Sequence, residues 1–82
     1  MSKYDPVYKW LDAKSSGDIW SFSTTFGQIE RILGFEFPNS ARTTPQWWEN
    51  DGAHEQGVAW INAGFETRNL NLARESVEFE RV

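Results

Sequence analysis

The residues best able to do chemistry in this 82-residue chain lie between positions 40 and 60. This stretch holds three of the five tryptophans, the single histidine and one arginine. Aromatic faces beside guanidinium, amide, carboxylate and imidazole groups match what a planar, hydrogen-bonding ligand requires. A nucleobase is the obvious ligand of this kind. The alternative interpretation is a packed core whose polar groups bond one another.

The predicted ligand site assigns a role to each side chain. Trp47 or Trp48 would stack on a base, a contact worth about 1–3 kcal/mol. Arg42 would pair with a phosphate in a bidentate manner, which lysine does less well. The other polar groups would contact base or ribose edges. The ligand-binding set predicted in this way is Arg42, Trp47, Trp48, Asn50, Asp51, His54 and Gln56.

The same residues also have structural explanations. Adjacent Trp47 and Trp48 on a helical turn point about 100° apart, so we expect one in the core and the other partly exposed. Asp51 is expected to be the N-cap of the next helix, and a lone histidine such as His54 is more often a packing residue. Arg42 has the least obvious structural role. The remaining tryptophans are expected in the core: Trp10, Trp20 and Trp60.

The sequence contains no convincing catalytic set. Without cysteine there is no thiolate nucleophile or zinc-thiolate site, and a single histidine excludes the two-histidine zinc helix. Ser40, His54 and Asp51 can be combined into a triad on paper, but no nucleophile-elbow motif accompanies them. Carboxylates such as Glu49 and Glu55 more often face solvent than act as acids, bases or magnesium ligands. The sequence therefore predicts a non-catalytic protein without a metal or cofactor.

Composition limits the possible partners and location. A net charge of −4 disfavours DNA, because phosphate neutralisation drives the affinity of most DNA-binding proteins. No apolar run reaches the roughly 20 residues of a membrane helix, and no apolar segment follows Met1 as in a secretory signal. We therefore expect a cytoplasmic protein without a membrane partner. The length predicts a single domain over residues 1–82, and so many aromatic residues in so small a chain are compatible with a homo-oligomer.

The first half of the chain predicts two helices and a strand. Asp5-Pro6 is typical of an N-cap followed by the first helical residue, and this helix should end near residues 15–18. A short strand is expected over 19–23, with alternate aromatic residues on one side. Thr25 and Gln28 have capping-box spacing and Gly34 suits a helix C-terminus, which predicts a helix over 25–33.

The second half predicts two more helical segments and a hairpin. Thr44-Pro45 should open a short helical turn that carries the adjacent tryptophans. A further helix is expected from Ala53 to Ala63, ending at Gly64. Residues 65–70 and 76–81 should form an antiparallel pair around a turn near 73–75, with Val77 and Phe79 on one face.

The predicted order is helix, strand, helix, short helix, helix, strand, strand. An α+β fold satisfies it, with a three-stranded antiparallel sheet and the helices packed on one face. This is also the order of a winged-helix domain, in which residues 53–63 would occupy the recognition-helix position. Such an analogy of fold says little about function.

One set of motifs resembles an uncharacterised family of small domains. The shared pattern includes Ser40-Ala41-Arg42, Trp47-Trp48-Glu49-Asn50-Asp51, His54-Glu55-Gln56 and Ala59-Trp60. The resemblance covers nearly the whole chain, and it implies a stand-alone bacterial or phage protein, or an appendage to nuclease-like domains. It further implies traffic in nucleic acids or nucleotides, in defence or counter-defence. Gly57 departs from the pattern, which usually has alanine there; we expect it to loosen the helix slightly and leave the site undisturbed.

The residue pattern and the resemblance together lead to three functional hypotheses. The first is non-catalytic binding of a nucleotide-type ligand, in its sharpest form a phage-type sponge that sequesters a nucleotide immune signal. The second is a winged-helix-like module of a defence or nuclease system that binds DNA or protein; for DNA it predicts a basic face around residues 53–63 built from Arg31, Arg42, Arg68 and Arg74. The third treats the residue 40–60 cluster as purely structural, with exposed aromatic residues as anchors for a host protein.

Overall fold

Four helices and three strands follow one another in the computed structural model, which describes residues 2–82. The helices are α1 (Asp5–Ser15), α2 (Phe26–Leu33), α3 (Ser40–Thr43) and α4 (Glu55–Asn62). The strands are β1 (Ser21–Thr25), β2 (Phe65–Asn71) and β3 (Ser76–Arg81), and a 3-10 helix spans Pro45–Trp48. The predicted α+β class and element order are confirmed, and α3 is an addition that the sequence did not reveal.

The three strands form one antiparallel sheet in the order β1-β3-β2. Phe22 on β1 pairs with Phe79 on β3, and Thr67 on β2 lies on the other side of Phe79. As predicted, Val77 and Phe79 are buried against the helices, and the alternate residues Glu78 and Glu80 lie on the opposite face. Because β1 and β2 both run antiparallel to β3, both begin at the end of the sheet where β3 finishes.

The core is built mainly from aromatic rings. Phe26, Phe65 and Phe79 have no exposed surface, and Leu11 of α1 is equally buried. Aromatic side chains remove 150–250 Å² each from solvent, so a few of them supply the burial that a domain of this size needs. Trp60 belongs to this core, as predicted.

Helix α2 begins and ends as the sequence predicts. The Thr25 hydroxyl accepts a hydrogen bond from the backbone N–H of Gln28 at 3.2 Å. The Gln28 side chain accepts a bond from Thr24 rather than returning to the N-cap, so only half of the capping box forms. Gly34 closes the helix at φ 83°, a left-handed conformation that glycine adopts without strain.

Several sequence predictions need correction. Asp5 is the first residue of α1, not its N-cap, and β1 begins two residues later than expected. Helix α4 starts at Glu55 with His54 at the N-cap position, so the N-cap role expected of Asp51 is wrong. Trp20 is 68% exposed instead of buried, because it precedes β1 at the end of the sheet. Trp10 is only partly buried against the core.

Candidate functional site

Arg42 lies between two carboxylates. Its Nη2 donates a hydrogen bond to Glu30 at 2.8 Å, and its Nε donates to Glu75 at 3.0 Å. Glu30 belongs to α2 and Glu75 to the turn between β2 and β3, so Arg42 on α3 connects three segments of the chain. The bond to Arg42 holds the pKa of Glu30 below its usual range, and the same pairing raises the pKa of the guanidinium.

Glu30 has a second role beside the ion pair. Its other carboxylate oxygen accepts a 2.7 Å hydrogen bond from the backbone N–H of Phe37. The side chain of Glu30 is 14% exposed and that of Arg42 29% exposed, so the pair is partly desolvated and its hydrogen bonds are stronger than those of a surface pair. Two nitrogens of the guanidinium are therefore bonded within the fold, and a phosphate would compete with two carboxylates for Arg42.

Trp48 stacks with two other rings. The centroid of its indole lies 4.7 Å from that of the Phe26 ring, with an interplanar angle of 21°. The centroid of the Trp60 ring lies 5.9 Å from that of the Trp48 indole, with 10° between planes. The indole Nε1 donates a 2.8 Å hydrogen bond to the carbonyl oxygen of Ala41. Trp48 is 2% exposed, so its π-faces and its donor are both used inside the molecule. We call Phe26, Trp48 and Trp60 the tryptophan stack.

Trp47 is the more accessible member of the adjacent pair. It is half-buried, and its ring meets Tyr4 at 5.9 Å and Phe37 at 5.0 Å in edge-to-face contacts. The prediction that one of the two indoles lies in the core and the other is partly exposed is confirmed. The burial of Tyr4, together with the nearby Glu55 carboxylate, raises the pKa of the tyrosine hydroxyl.

Asn50 pairs with the outer edge of β2. Its Oδ1 accepts a 2.8 Å hydrogen bond from the Thr67 N–H, and its Nδ2 donates a 3.1 Å bond to the Thr67 carbonyl. The Thr67 hydroxyl also donates to the Trp48 carbonyl at 2.6 Å. These bonds attach the segment after the 3-10 helix to the sheet and satisfy backbone groups that otherwise have no strand beside them.

Asp51 and His54 interact at the surface before α4. Asp51 Oδ1 accepts a hydrogen bond from the Ala53 N–H at 3.0 Å and lies 3.1 Å from His54 Nδ1. These bonds, first the one with His54, lower the pKa of Asp51. The His54 side chain is 51% exposed, so this pair keeps access to solvent.

Gln56 and Gly57 fix the loop against α4. The buried Gln56 side chain donates a 3.0 Å hydrogen bond to the Trp47 carbonyl. A Cβ placed at Gly57 would lie 2.6 Å from the carbonyl oxygen of Asp51 and 3.1 Å from that of Glu49. Gly57 is thus the point of close approach between helix and loop, which corrects the expectation that glycine there only loosens the helix.

The structure brings some of the seven predicted site residues together: Trp47 contacts Trp48 and Gln56, and Asp51 contacts His54. Asn50 instead bonds to Thr67, and Arg42 bonds to Glu30 and Glu75. The ligand-binding role of the seven residues stays a prediction. In the structure most of their polar groups are bonded to the protein itself; those of Asp51 and His54 remain at the surface. Residues 2–82 enclose no ligand-sized cavity and hold no cluster of three potential metal ligands.

The partners of these residues lie far from them in the sequence. Glu30 lies 12 positions from Arg42, and Glu75 lies 33 positions from it. Thr67 lies 17 positions from Asn50. No local spacing pattern signals pairs this distant, because they meet only after α2 and the hairpin pack together.

A second surface feature lies at one end of the sheet. Four large hydrophobic side chains are exposed there, and we call this group the Trp20 end: Ile19, Trp20, Ile61 and Val82. Two of them precede β1, one follows β3, and the fourth lies in the last turn of α4, shortly before β2. The backbone N–H of Arg81 donates to the Trp20 carbonyl at 2.7 Å, which joins the segments before β1 and at the end of β3. The Val82 N–H donates to the carbonyl of Gly64 at 3.0 Å, just after α4.

Fold and sequence together define a small α+β domain with winged-helix-like element order and an aromatic core. A family model described as Domain of unknown function (DUF7662) matches residues 4–82. The chain belongs to this family, since the match spans almost its whole length. The searches of curated proteins and of solved structures gave no match. Within residues 2–82, no helix has the length and apolar character needed to span a bilayer.

Proposed function

We propose that this protein is a non-catalytic protein-binding module whose contact surface is the Trp20 end. The observation that carries the proposal is that all the exposed large hydrophobic residues within residues 2–82 belong to chain segments that meet at this one end of the sheet. Apolar side chains scattered singly over a surface need no explanation, but a group of them marks a contact site.

Trp20 is suited to be the central anchor. Tryptophan is enriched among the residues that contribute most to binding at protein interfaces. The Arg81 guanidinium lies 5.3 Å from the Trp20 ring centroid and donates a 3.2 Å hydrogen bond to the Gly17 carbonyl. These contacts restrict the exposed indole before a partner arrives, which lowers the entropic cost of binding.

The charge distribution favours protein over DNA as the partner. Helix α4, in the recognition-helix position, contains no lysine or arginine. Of the four arginines that would form its basic face, Arg42 is paired with Glu30 and Glu75, and Arg68 is paired with Glu66 and Glu80 on the sheet. Duplex DNA needs several cations that are free to replace counterions.

Nucleotide binding is the second candidate, and one observation favours it. Trp47 is only half-buried, and Asp51 and His54 lie at the surface of the adjoining loop. A ligand would stack on Trp47 and use these polar groups. Calorimetry against adenine-containing signal nucleotides tests this version; no heat of binding at protein concentrations near a millimolar ends it.

The biological setting rests on the family resemblance. In the bacterial or phage-infected cytoplasm that it implies, the bound protein would be a component of a defence or nuclease system. The nucleotide-sponge hypothesis assumes the same cellular location as the protein-binding hypothesis, but a different ligand.

Site-specific photo-cross-linking tests the protein-binding function. A benzophenone amino acid replaces Ile19, the exposed neighbour of Trp20, in cells that naturally produce the protein, so that the Trp20 indole is kept. A matched control carries the benzophenone in place of Arg31, an exposed residue of α2. We expect discrete protein adducts from position 19 and none of the same mass from position 31. The absence of adducts at position 19, or identical adducts from both positions, would contradict the proposal.

A further inference from the structure

The two outer strands of the sheet differ in how their edges are protected. An uncovered edge strand offers free N–H and C=O groups to another strand, and proteins usually block it with charges, proline, a bulge or a covering segment. On β2 the register shifts between Arg68 and Asn71, Asn69 has a positive φ of 50°, and Asn50 covers Thr67. The β2 edge is therefore closed.

The β1 edge has none of these features. Its sequence, Ser21-Phe22-Ser23-Thr24-Thr25, contains no charge and no proline, and its pairing with β3 is regular. The Arg81 N–H bonds to the Trp20 carbonyl and the Phe26 N–H bonds to the Glu75 carbonyl, so the even-numbered residues of β1 bond to β3.

The odd-numbered residues of β1 therefore direct their backbone groups away from the sheet. Ser21 and Ser23 are exposed, and within residues 2–82 their outward N–H and C=O groups have no hydrogen-bond partner outside the sheet. The exposed indole of Trp20 lies immediately before this free edge. An added strand would thus pair along β1 and reach the Trp20 end.

Two cations lie on the helix side of this edge. Lys14 Nζ lies 4.7 Å from the Phe22 ring centroid, and the Arg81 guanidinium lies over Trp20. Neither forms a salt bridge with a carboxylate of the described residues. The opposite face of the sheet carries Glu78 and Glu80 beside β1. The edge is therefore positive on its aromatic side and negative on the other.

We propose that β1 accepts an extended segment of another protein as a fourth strand, with acidic and apolar side chains on the helix side and neutral polar ones on the other. Main-chain hydrogen bonds to Ser21 and Ser23 supply affinity, and alternate side chains supply specificity. This inference rests on the proposed function, since it names the binding mode at the Trp20 end. The charges favour such a segment over a second copy, whose β1 strand carries no acid to meet Lys14.

The first test introduces proline at the edge. Ser23→Pro removes only an outward N–H, a position at which edge strands tolerate proline, and Ser23→Thr is the matched control. We expect adducts from a photo-reactive residue at position 19 to disappear in Ser23→Pro and to persist in Ser23→Thr. Adducts that persist in folded Ser23→Pro overturn strand addition but leave the binding function standing, whereas no adducts in the parent protein overturn both.

A second test does not depend on how Ser23→Pro folds. Chemical synthesis replaces the Ser23 amide by an ester, and binding is measured by fluorescence anisotropy with the labelled peptide Thr-Leu-Thr-Asp-Thr-Leu-Thr-Asp-Thr. We expect at least tenfold weaker binding by the ester protein than by the amide protein, and at least tenfold weaker binding of a peptide with lysine in place of aspartate. Equal binding by the ester and amide proteins, or equal binding of both peptides, would overturn strand addition at β1.

Discussion

The amide side chain of Asn50 takes the place of a neighbouring strand beside Thr67. It donates to the Thr67 carbonyl and accepts from the Thr67 N–H, as a paired backbone would. Asn50 was a candidate ligand contact in the sequence, and in the structure the same two polar groups close the edge of β2. This relationship illustrates how the residue 40–60 motifs organise the fold.

Removing the Asn50 amide should expose that edge. Asn50→Ala is expected to lower the free energy of unfolding by about 1–3 kcal/mol, because it leaves partly buried backbone groups of Thr67 unsatisfied. The amide proton of Thr67 should also exchange faster with solvent, which NMR detects directly. Asn62→Ala, at the exposed end of α4, is the matched control and should change neither quantity much. Unchanged exchange at Thr67 would contradict this role of Asn50.

Arg42 should contribute stability in a pH-dependent way. Arg42→Ala removes charge-assisted hydrogen bonds to Glu30 and Glu75 and should cost about 1.5–3 kcal/mol. Arg42→Lys should recover only part of this loss, because lysine has no planar fork with which to bridge two carboxylates. Arg31→Ala removes an equal charge at an exposed position and serves as the control.

The sign of the pH dependence follows from the lowered pKa of folded Glu30. Its contribution is complete above the ordinary glutamate pKa of about 4.3 and is lost as the pH falls below that value and through the folded pKa. The stability difference between the parent and Arg42→Ala should therefore shrink in acid. Urea unfolding of both proteins between pH 7 and pH 3 measures this stability difference. If the difference stays constant over this range, the ion pair between Arg42 and Glu30 is contradicted.

The close approach at Gly57 predicts opposite effects for two glycine substitutions. Gly57→Ala should destabilise the protein by about 1–3 kcal/mol, because its Cβ would press on the backbone of the loop before α4. Gly27→Ala in α2 has open space around the new Cβ and should stabilise by about 0.5–1 kcal/mol through helix propensity. Thermal unfolding compares the two variants. Stabilisation by both substitutions would contradict a close contact between Gly57 and the backbone of the loop before α4.

The two adjacent tryptophans should respond differently to replacement by phenylalanine. Trp48→Phe leaves the buried Ala41 carbonyl without its donor and removes ring volume from the tryptophan stack, so we expect a loss of about 2–4 kcal/mol. Trp47→Phe, at a half-buried position, should cost clearly less. Chemical denaturation distinguishes these variants, and equal losses would contradict the assignment of Trp48 as the central core ring.

The sequence predicted the fold better than the contacts that its most conspicuous residues make inside the protein. Caps and periodicity located α2 and β3, because these signals act over a few neighbouring residues, as at Thr25 and Gly34. The two ion pairs of Arg42 were not predictable in this way, since its partners come from α2 and the distant hairpin. Trp20 was assigned to the core because tryptophan usually buries its ring, and only the position of β1 within the sheet shows that it lies beyond the helices.

A ¹H–¹⁵N NMR correlation spectrum of the five indole groups tests most directly whether a protein binds at the Trp20 end. Protein labelled with ¹⁵N-tryptophan is added to extract from cells that produce it, with the extract separated into macromolecules and small molecules. We expect macromolecules to change the chemical shift of the Trp20 indole, whereas the Trp48 indole keeps its chemical shift even if slower tumbling broadens all five signals. A shift of the Trp47 signal in the small-molecule fraction, with Trp20 unaffected by either fraction, would contradict it.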